Sequence, residues 1–406
     1  MSLPAVQRAF QHIESQRAEI LKEWIAITEI NAPSGEERER AEYIERELRK
    51  LNLDDVHFDG AGNVIGIRKG TGGGPRIVID AHMDTVFKAG LKIKAVVRGG
   101  NVFAPGIGDD TRNIEAMLAM IRALNTAKIK TRGDLIFLFT VGEESNMGGA
   151  KFFAKENKGK VDHWIALDGG YEGFTYAGIG IYWYKIHFLG PGGHTRLPSP
   201  PYSAVLAMSR AITRIYQIPV PATSQSFMNI GMVGGSEVIN AKAADAWFTL
   251  DLRSTDESVI RTMKSQIDAI VRDEAARERL RTREEIVTET PVANIPGHRY
   301  GFLVQTSTAV FRAMGFNPPI GNSGSNNASA ALNNGISAIS TGSGPCGNPH
   351  ALSEGCEIEP LYKGIKKLIL LGVTLAQLDP REPADPPAPA IPPSPSPTPS
   401  PTPTNR

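Results

Sequence analysis

The sequence predicts an α/β protein, with a mainly parallel sheet covered by helices and interrupted by a smaller α+β unit. Two observations carry the first part. Short apolar runs alternate with segments of helical period, and polar residues gather just past the runs. A third observation carries the second part. Near residue 181 the texture turns aromatic and β-branched, and the alternation returns only from about residue 291.

Taken in order, residues 1–20 are amphipathic and charged and lack the apolar stretch of a signal peptide. Ser34 and Glu37 form a capping-box pattern. Ala41, Ile44, Leu48 and Leu51 then recur at helical spacing. Residues 76–81 (RIVIDA) read as a buried strand, 113–127 as a helix, 134–141 (DLIFLFTV) as a second buried strand and 164–167 as a third. Residues 181–189 (IYWYKIHFL) open the different texture. A helix through 201–216, strands at 229–233 and 246–252 and a charged helix at 257–279 follow. That β-α-β-β-α order is typical of a small ferredoxin-like sandwich. An apolar segment at 336–339 and a helix near 360–378 close the folded part.

The expected organisation is a catalytic domain in two parts, 1–180 and 291–378, an inserted lid or dimerisation domain at 181–290, and a Pro-rich tail at 379–406. The tail ends PPSPSPTPSPTPTNR and carries too little apolar surface to offset the cost of ordering, so it is expected to be disordered. Its composition also suits docking to a partner in polyproline form. There is no internal repeat.

Composition narrows the function. Lys plus Arg number 44 and Asp plus Glu 43, for a net charge of +1, without the basic excess of a nucleic-acid binder. No apolar run approaches the ~18 residues that a membrane span needs. A cytoplasmic location is expected, although a chain stripped of a leader would read the same. Cys346 and Cys356 are the only cysteines. They form neither a disulfide framework nor a Cys-rich zinc module and are read as small buried thiols without a role.

The chemistry-bearing residues lie just past the strands. RIVIDA leads into His82-Met83-Asp84, DLIFLFTV into Gly142-Glu143-Glu144, and the third strand into Asp168-Gly169-Gly170. In open α/β sheets ligands bind outside the carboxyl ends of the strands, so one edge receives a His and several carboxylates. Gly106-Ile107-Gly108-Asp109-Asp110 is a glycine-rich turn with paired carboxylates, and Gly347-Asn348-Pro349-His350 comes late. Each cluster alone reads as a turn, a cap or a solvated helix start. Five in order do not. A His and carboxylate set without thiolates suits zinc in a catalytic site. Two such metals need a shared carboxylate, and one further carboxylate must stay off the metals to move a proton.

With these motifs the chain resembles the dinuclear-zinc exopeptidase family that contains peptidase T, glutamate carboxypeptidase and the aminoacylases. The likeness runs from about residue 27 to 378. It implies that His82 binds one metal and Asp84 orients it, that Asp109 bridges two metals, and that Glu143 is the general base. It implies further that Glu144 and His350 bind the second metal and Asp168 the first. The cofactor implied is two Zn2+ per chain, with Co2+ or Mn2+ as substitutes. The Gly190–His194 stretch resembles a loop whose His reaches an active site, often across a dimer, so a homodimer is expected. Asn240 and Arg253 stand where relatives contact substrate, and Arg253 suits a carboxylate because its planar fork grips one bidentately. Two departures are visible. Thr111 follows Asp109-Asp110 where many relatives have Lys, and Asn327 stands where an Asp is usual. Neither removes a metal ligand.

The leading expectation is an exopeptidase for di- or tripeptides. An N-acyl-amino-acid deacylase uses the same chemistry. A non-catalytic metal- or peptide-binding protein is the contrasting class, and loss of Glu143 or of a ligand would have favoured it; none is lost.

Overall fold

The computed structural model describes residues 1–196, 202–236 and 238–379. The tail expected at 379–406 lies outside them except for Asp379. The main sheet has eight strands in the order Asp55–Phe58, Val64–Arg68, Leu135–Thr140, Ile77–His82, His163–Ala166, Ser337–Ser340, Phe174–Thr175 and Ile320–Gly321. Its four central strands, from Leu135–Thr140 to Ser337–Ser340, run parallel. The fold is α/β, as the alternation of apolar runs and helical segments predicts.

The central strands are buried on both faces, and their side chains divide by the period of two. Ile77, Ile79, Leu135, Phe137 and Phe139 pack on one core with helices Pro4–Ser15, Arg17–Glu29, Arg112–Thr126 and Glu359–Leu375. Val78, Ile136 and Leu138 pack on another with Gly148–Glu156 and Ala328–Asn333. No helix among the described residues is long and apolar enough to cross a membrane.

A separate antiparallel sheet joins Phe227–Asn229, Val233–Gly235, Asp245–Ser254, Gly180–Leu189 and Arg281–Thr290. Helices Ala204–Ile215 and Glu257–Arg277 cover one face, and Tyr184, Ile186, Phe188, Phe248, Leu250 and Leu252 form its own core with them. Two expectations are corrected here. The strand read at 229–233 is two strands around a bulge, because the chain advances from Asn229 to Val233 while its partner moves only from Asp251 to Phe248. Arg281–Thr290 (RTREEIVTET) is a strand that the charge pattern concealed. It forms a sheet edge, so mostly polar side chains suffice there.

Ser34 and Glu37 do not cap a helix. The helix Arg38–Arg49 has no side-chain cap. Ser34 Oγ donates instead to Asp84 Oδ2 at 2.6 Å, and Glu37 Oε1 accepts from the backbone N–H of Gly142 at 3.0 Å. The cysteines are also corrected. Cys346 and Cys356 face each other in an antiparallel hairpin, 4.1 Å apart at Cα, and form a disulfide. Linear spacing did not reveal the hairpin that brings them together.

Candidate metal centre

His82 ends its strand directly opposite Thr140 in the parallel register, and Asp80 lies opposite Ala166. Residues 141–144 and 167–168 therefore leave the same edge of the sheet. His82 is buried. Its Nδ1 lies 3.0 Å from the Asp84 carbonyl oxygen and its Nε2 2.9 Å from Asp109 Oδ1.

Asp84 organises the adjoining turn. Its carboxylate accepts the backbone N–H of Glu143 at 2.9 Å on Oδ1 and that of Glu144 at 3.1 Å on Oδ2. With Ser34 on the same group, one buried carboxylate fixes both the histidine strand and the Glu-Glu pair.

Asp109 arrives on the turn that starts at Gly106, whose φ of 74° is left-handed and suits glycine. Glu354, buried and distant in sequence, accepts three backbone N–H groups of this turn: Gly106 at 2.7 Å and Gly108 and Asp109 at 2.8 Å each. Asp110 turns away from the cavity. It accepts the His82 N–H at 2.9 Å and the Asn113 amide at 2.5 Å. Asn113 also accepts from Ser343 Oγ at 2.6 Å, tying the turn to the late strand. Sequence reading missed Ser34, Glu37, Asp110, Asn113 and Glu354 as supports. Only the Asp-Asp pair and the polar character of Ser34 and Glu37 offered a signal, and Glu354 had none.

His350 completes the cluster from the hairpin loop. Its Nε2 lies 3.1 Å from Asp109 Oδ2 and 3.1 Å from Glu144 Oε2. Two imidazoles thus meet the two oxygens of one carboxylate. Donor atoms of His82, Glu143 and Asp168 lie within 4.8 Å of one another, as do those of His82, Asp109 and Glu144.

The charge balance is lopsided. Burial, with the neighbouring carboxylates adding to it, pushes Glu144 up to about 7 and Asp168 to about 6. The same causes raise Glu143 well above the usual range. The bond to Asp109 lifts His350 to about 9. Burial would lower His82 and raise Asp109; the charges of Asp110, Asp109 and Asp84 raise His82 instead, and the two histidines hold Asp109 far down. Glu144 Oε1 is buried without a hydrogen-bond partner. Crowded carboxylates, two imidazoles and an unpartnered oxygen fit divalent cations of the kind that take N and O donors.

Two cavities flank the cluster. One of about 360 Å3 is lined by Asp109, Glu143, Glu144, Asp168 and His350 together with Trp183 and Arg253 from the second sheet. The other, about 1080 Å3, shares Asp109 and Asp168 and extends past Tyr171 and Asn326. Arg253 reaches the site, with its Nε 3.1 Å from Asp251 Oδ1. His194 and Asn240 line neither cavity. His194 lies exposed on a two-residue strand against Ala241–Lys242, its Nδ1 accepting the Arg196 N–H at 3.0 Å, and the Asn240 carbonyl accepts the Thr195 N–H at 3.1 Å. Asn327 is buried beneath the sheet. It donates to Asp80 Oδ2 at 2.6 Å and to Thr140 Oγ1 at 2.8 Å. Thr111 Oγ1 is buried and donates to the Gly106 carbonyl at 2.8 Å. Both departures therefore serve the scaffold.

Residues 78–371 match the family model described as peptidase family M20/M25/M40. Carboxypeptidase G2 from Pseudomonas is 24% identical over 258 residues, 60% of this chain and 62% of that protein. An uncharacterized Bacillus subtilis protein, YqjE, is 34% identical over 143 residues, 32% of this chain and 38% of that one. The chain thus spans less than two thirds of the length of these relatives. A tripeptidase structure from Staphylococcus aureus superposes with a TM-score of 0.78 at 22% identity, covering 89% of this chain and 98% of that one. The aminopeptidase PepT from Bacillus cereus gives 0.76 at 21% identity, covering 89% and 99%. These structures share the fold.

Proposed function

We propose a metal-dependent exopeptidase that hydrolyses an amide bond of small peptides, starting from the premise that this chain belongs to peptidase family M20/M25/M40. The observation that carries the reading is the convergence of His82 and His350 on the two oxygens of Asp109, beside the unpartnered Glu144 oxygen. In this reading His82 and Asp168 would hold one zinc ion and Glu144 and His350 a second, with Asp109 available to both. When bound, the ions supply positive charge that polarises the scissile carbonyl and acidifies a neighbouring water.

The remaining work falls to the chain. Glu143 takes the proton of the attacking water and returns it to the departing amine. Its place beside His82 and Asp168 and its raised proton affinity suit that task. Asp84 holds Glu143 and Glu144 in register through their backbone N–H groups and fixes His82. Arg253 binds the substrate carboxylate in the smaller cavity, while the larger one receives the rest of the peptide. The second sheet with its helices, residues 181–290, acts as the lid. His194 and Asn240 line neither of the two cavities that flank the cluster, and in this reading they serve the site of a second copy in a homodimer.

The test is a screen of zinc-loaded and chelator-treated protein against tripeptides, dipeptides and N-acyl amino acids. Turnover of a peptide that disappears on chelation and returns with zinc is expected. Hydrolysis of N-acyl amino acids alone would move the function to a deacylase. No turnover of any amide by protein carrying two ions would move it to a binding protein.

A further inference from the structure

His82 and His350 differ in what orients them. His82 Nδ1 is engaged by Asp84, whereas among the described residues His350 has only the Asp109 and Glu144 carboxylates that face the centre. Metal-bound imidazoles generally need a partner on the other ring nitrogen. For His350 the backbone of its loop must do that work, and the disulfide closes that loop. Cys346 and Cys356 are paired across the hairpin, with His350 and Glu354 between them. The bond also lies directly beneath the turn of the bridging carboxylate. A Cβ on Gly108 would sit 2.6 Å from Cys346 Sγ and 2.8 Å from Cys356 Sγ, so only glycine fits there. Arg112 Nη1 reaches Cys346 Sγ at 2.7 Å from the far side of the same turn.

We propose that the Cys346–Cys356 disulfide is a positioning element for His350, and that its reduction loosens the second metal position more than the first. The proposal rests on the two-ion reading above. On reduction the S–S bond gains two electrons and two protons to give two thiols. A water-soluble phosphine supplies the electrons and leaves as the phosphine oxide, with oxygen from water. The two strands of the hairpin beneath the Asp109 turn are then no longer joined covalently. His350 loses its fixed approach, while His82, Asp84 and Asp168 stand at or just past the ends of parallel strands that the disulfide does not join. Reducing compartments break such bonds, so in a cytoplasmic setting the site becomes redox-responsive.

The experiment titrates zinc against a chromophoric chelator in the oxidised protein, the phosphine-reduced protein and the C346S/C356S variant. The variant separates loss of the bond from zinc capture by freed thiols. The oxidised protein should bind two ions. The reduced protein and the variant should bind the second roughly 10–100-fold more weakly, the usual effect of losing support around a ligand, and the first with a smaller loss because the two share Asp109. Reoxidation should restore the wild type, and reductant should leave the variant unchanged. Equal affinity for the second ion in oxidised and reduced wild type overturns the proposal, whatever the folding of the variant. Fewer than two ions in the oxidised protein overturns the two-ion reading itself, and this proposal with it.

Discussion

His82 and His350 place their Nε2 atoms 2.9 and 3.1 Å from the two oxygens of Asp109, one from the end of a buried strand and the other from a hairpin loop. The His82 side chain is 1% exposed and that of His350 is 55% exposed. On the His82 side a strand in parallel register, the Asp84 carboxylate and the Glu143 and Glu144 N–H groups define every position. On the His350 side a disulfide and Glu354 hold a loop. One half of the centre is built into the sheet and the other is fastened to it afterwards. The two halves should therefore respond differently to the same change.

The largest difference should appear when each imidazole is removed. In metal-free protein His82→Ala takes away a buried cation between carboxylates, and breaking such a pair costs about 3–5 kcal/mol. His350→Ala removes an ion pair from a side chain 55% exposed and should cost less, about 0–1 kcal/mol. Denaturant unfolding in chelator measures both. Similar losses in the two variants would erase the contrast. Next comes Asp84→Asn. The amide retains one acceptor oxygen for two N–H groups, and metal affinity should fall roughly 10–100-fold. Zinc competition titration reads this, and unchanged affinity would remove Asp84 from the support of the centre.

The sheet-borne half was also the legible half. RIVIDA-His82, DLIFLFTV and Asp168 announce themselves because buried strands are apolar runs and the residues after them are not. The loop-borne half was readable only as a single histidine. Glu354 and the cysteines act through a hairpin whose pairing joins Cys346 to Cys356 and Gly355 to Phe103. Such contacts leave no periodicity. Ser34 and Glu37 misled because a capping box and a pair of site supports share the same spacing. Arg281–Thr290 misled because edge strands tolerate charge. Asn327 was legible as a departure, but its role was not. It feeds a donor to the buried Asp80, whose carboxyl burial pushes to about 7.

That pairing gives a smaller effect to measure. Asn327→Asp replaces the donor by a second carboxylate and should destabilise the sheet by about 1–3 kcal/mol, the cost of a buried group left unsatisfied. Denaturant midpoints report it, and a neutral result would mean that the two carboxyls share a proton.

The smallest effect is one of pH. In metal-free protein Glu144 and Asp168 sit at about 7 and 6, above their unfolded values, and His350 at about 9. The folded state holds these protons more tightly than the unfolded one. The stability they contribute is complete below the unfolded values and is lost as pH rises through 6, 7 and 9. Asp109 is shifted the other way, so its contribution is already complete above the usual carboxylate range and is constant here. Divalent ions replace the protons. The Tm gap between zinc-loaded and metal-free protein should therefore widen by a few degrees from pH 5 to pH 8. A gap that narrows would place the protons elsewhere.

Glu143 and Glu144 are consecutive, are held by the same Asp84 carboxylate, and are assigned opposite tasks. Turnover and zinc content of Glu143→Gln and Glu144→Gln, on the peptide the screen identifies, test that assignment most directly. Glu143→Gln should keep both ions and lose about 10²–10⁴-fold in turnover, the value of general acid–base catalysis. Glu144→Gln should lose affinity for one ion. Near-normal turnover in Glu143→Gln with zinc intact would contradict the account.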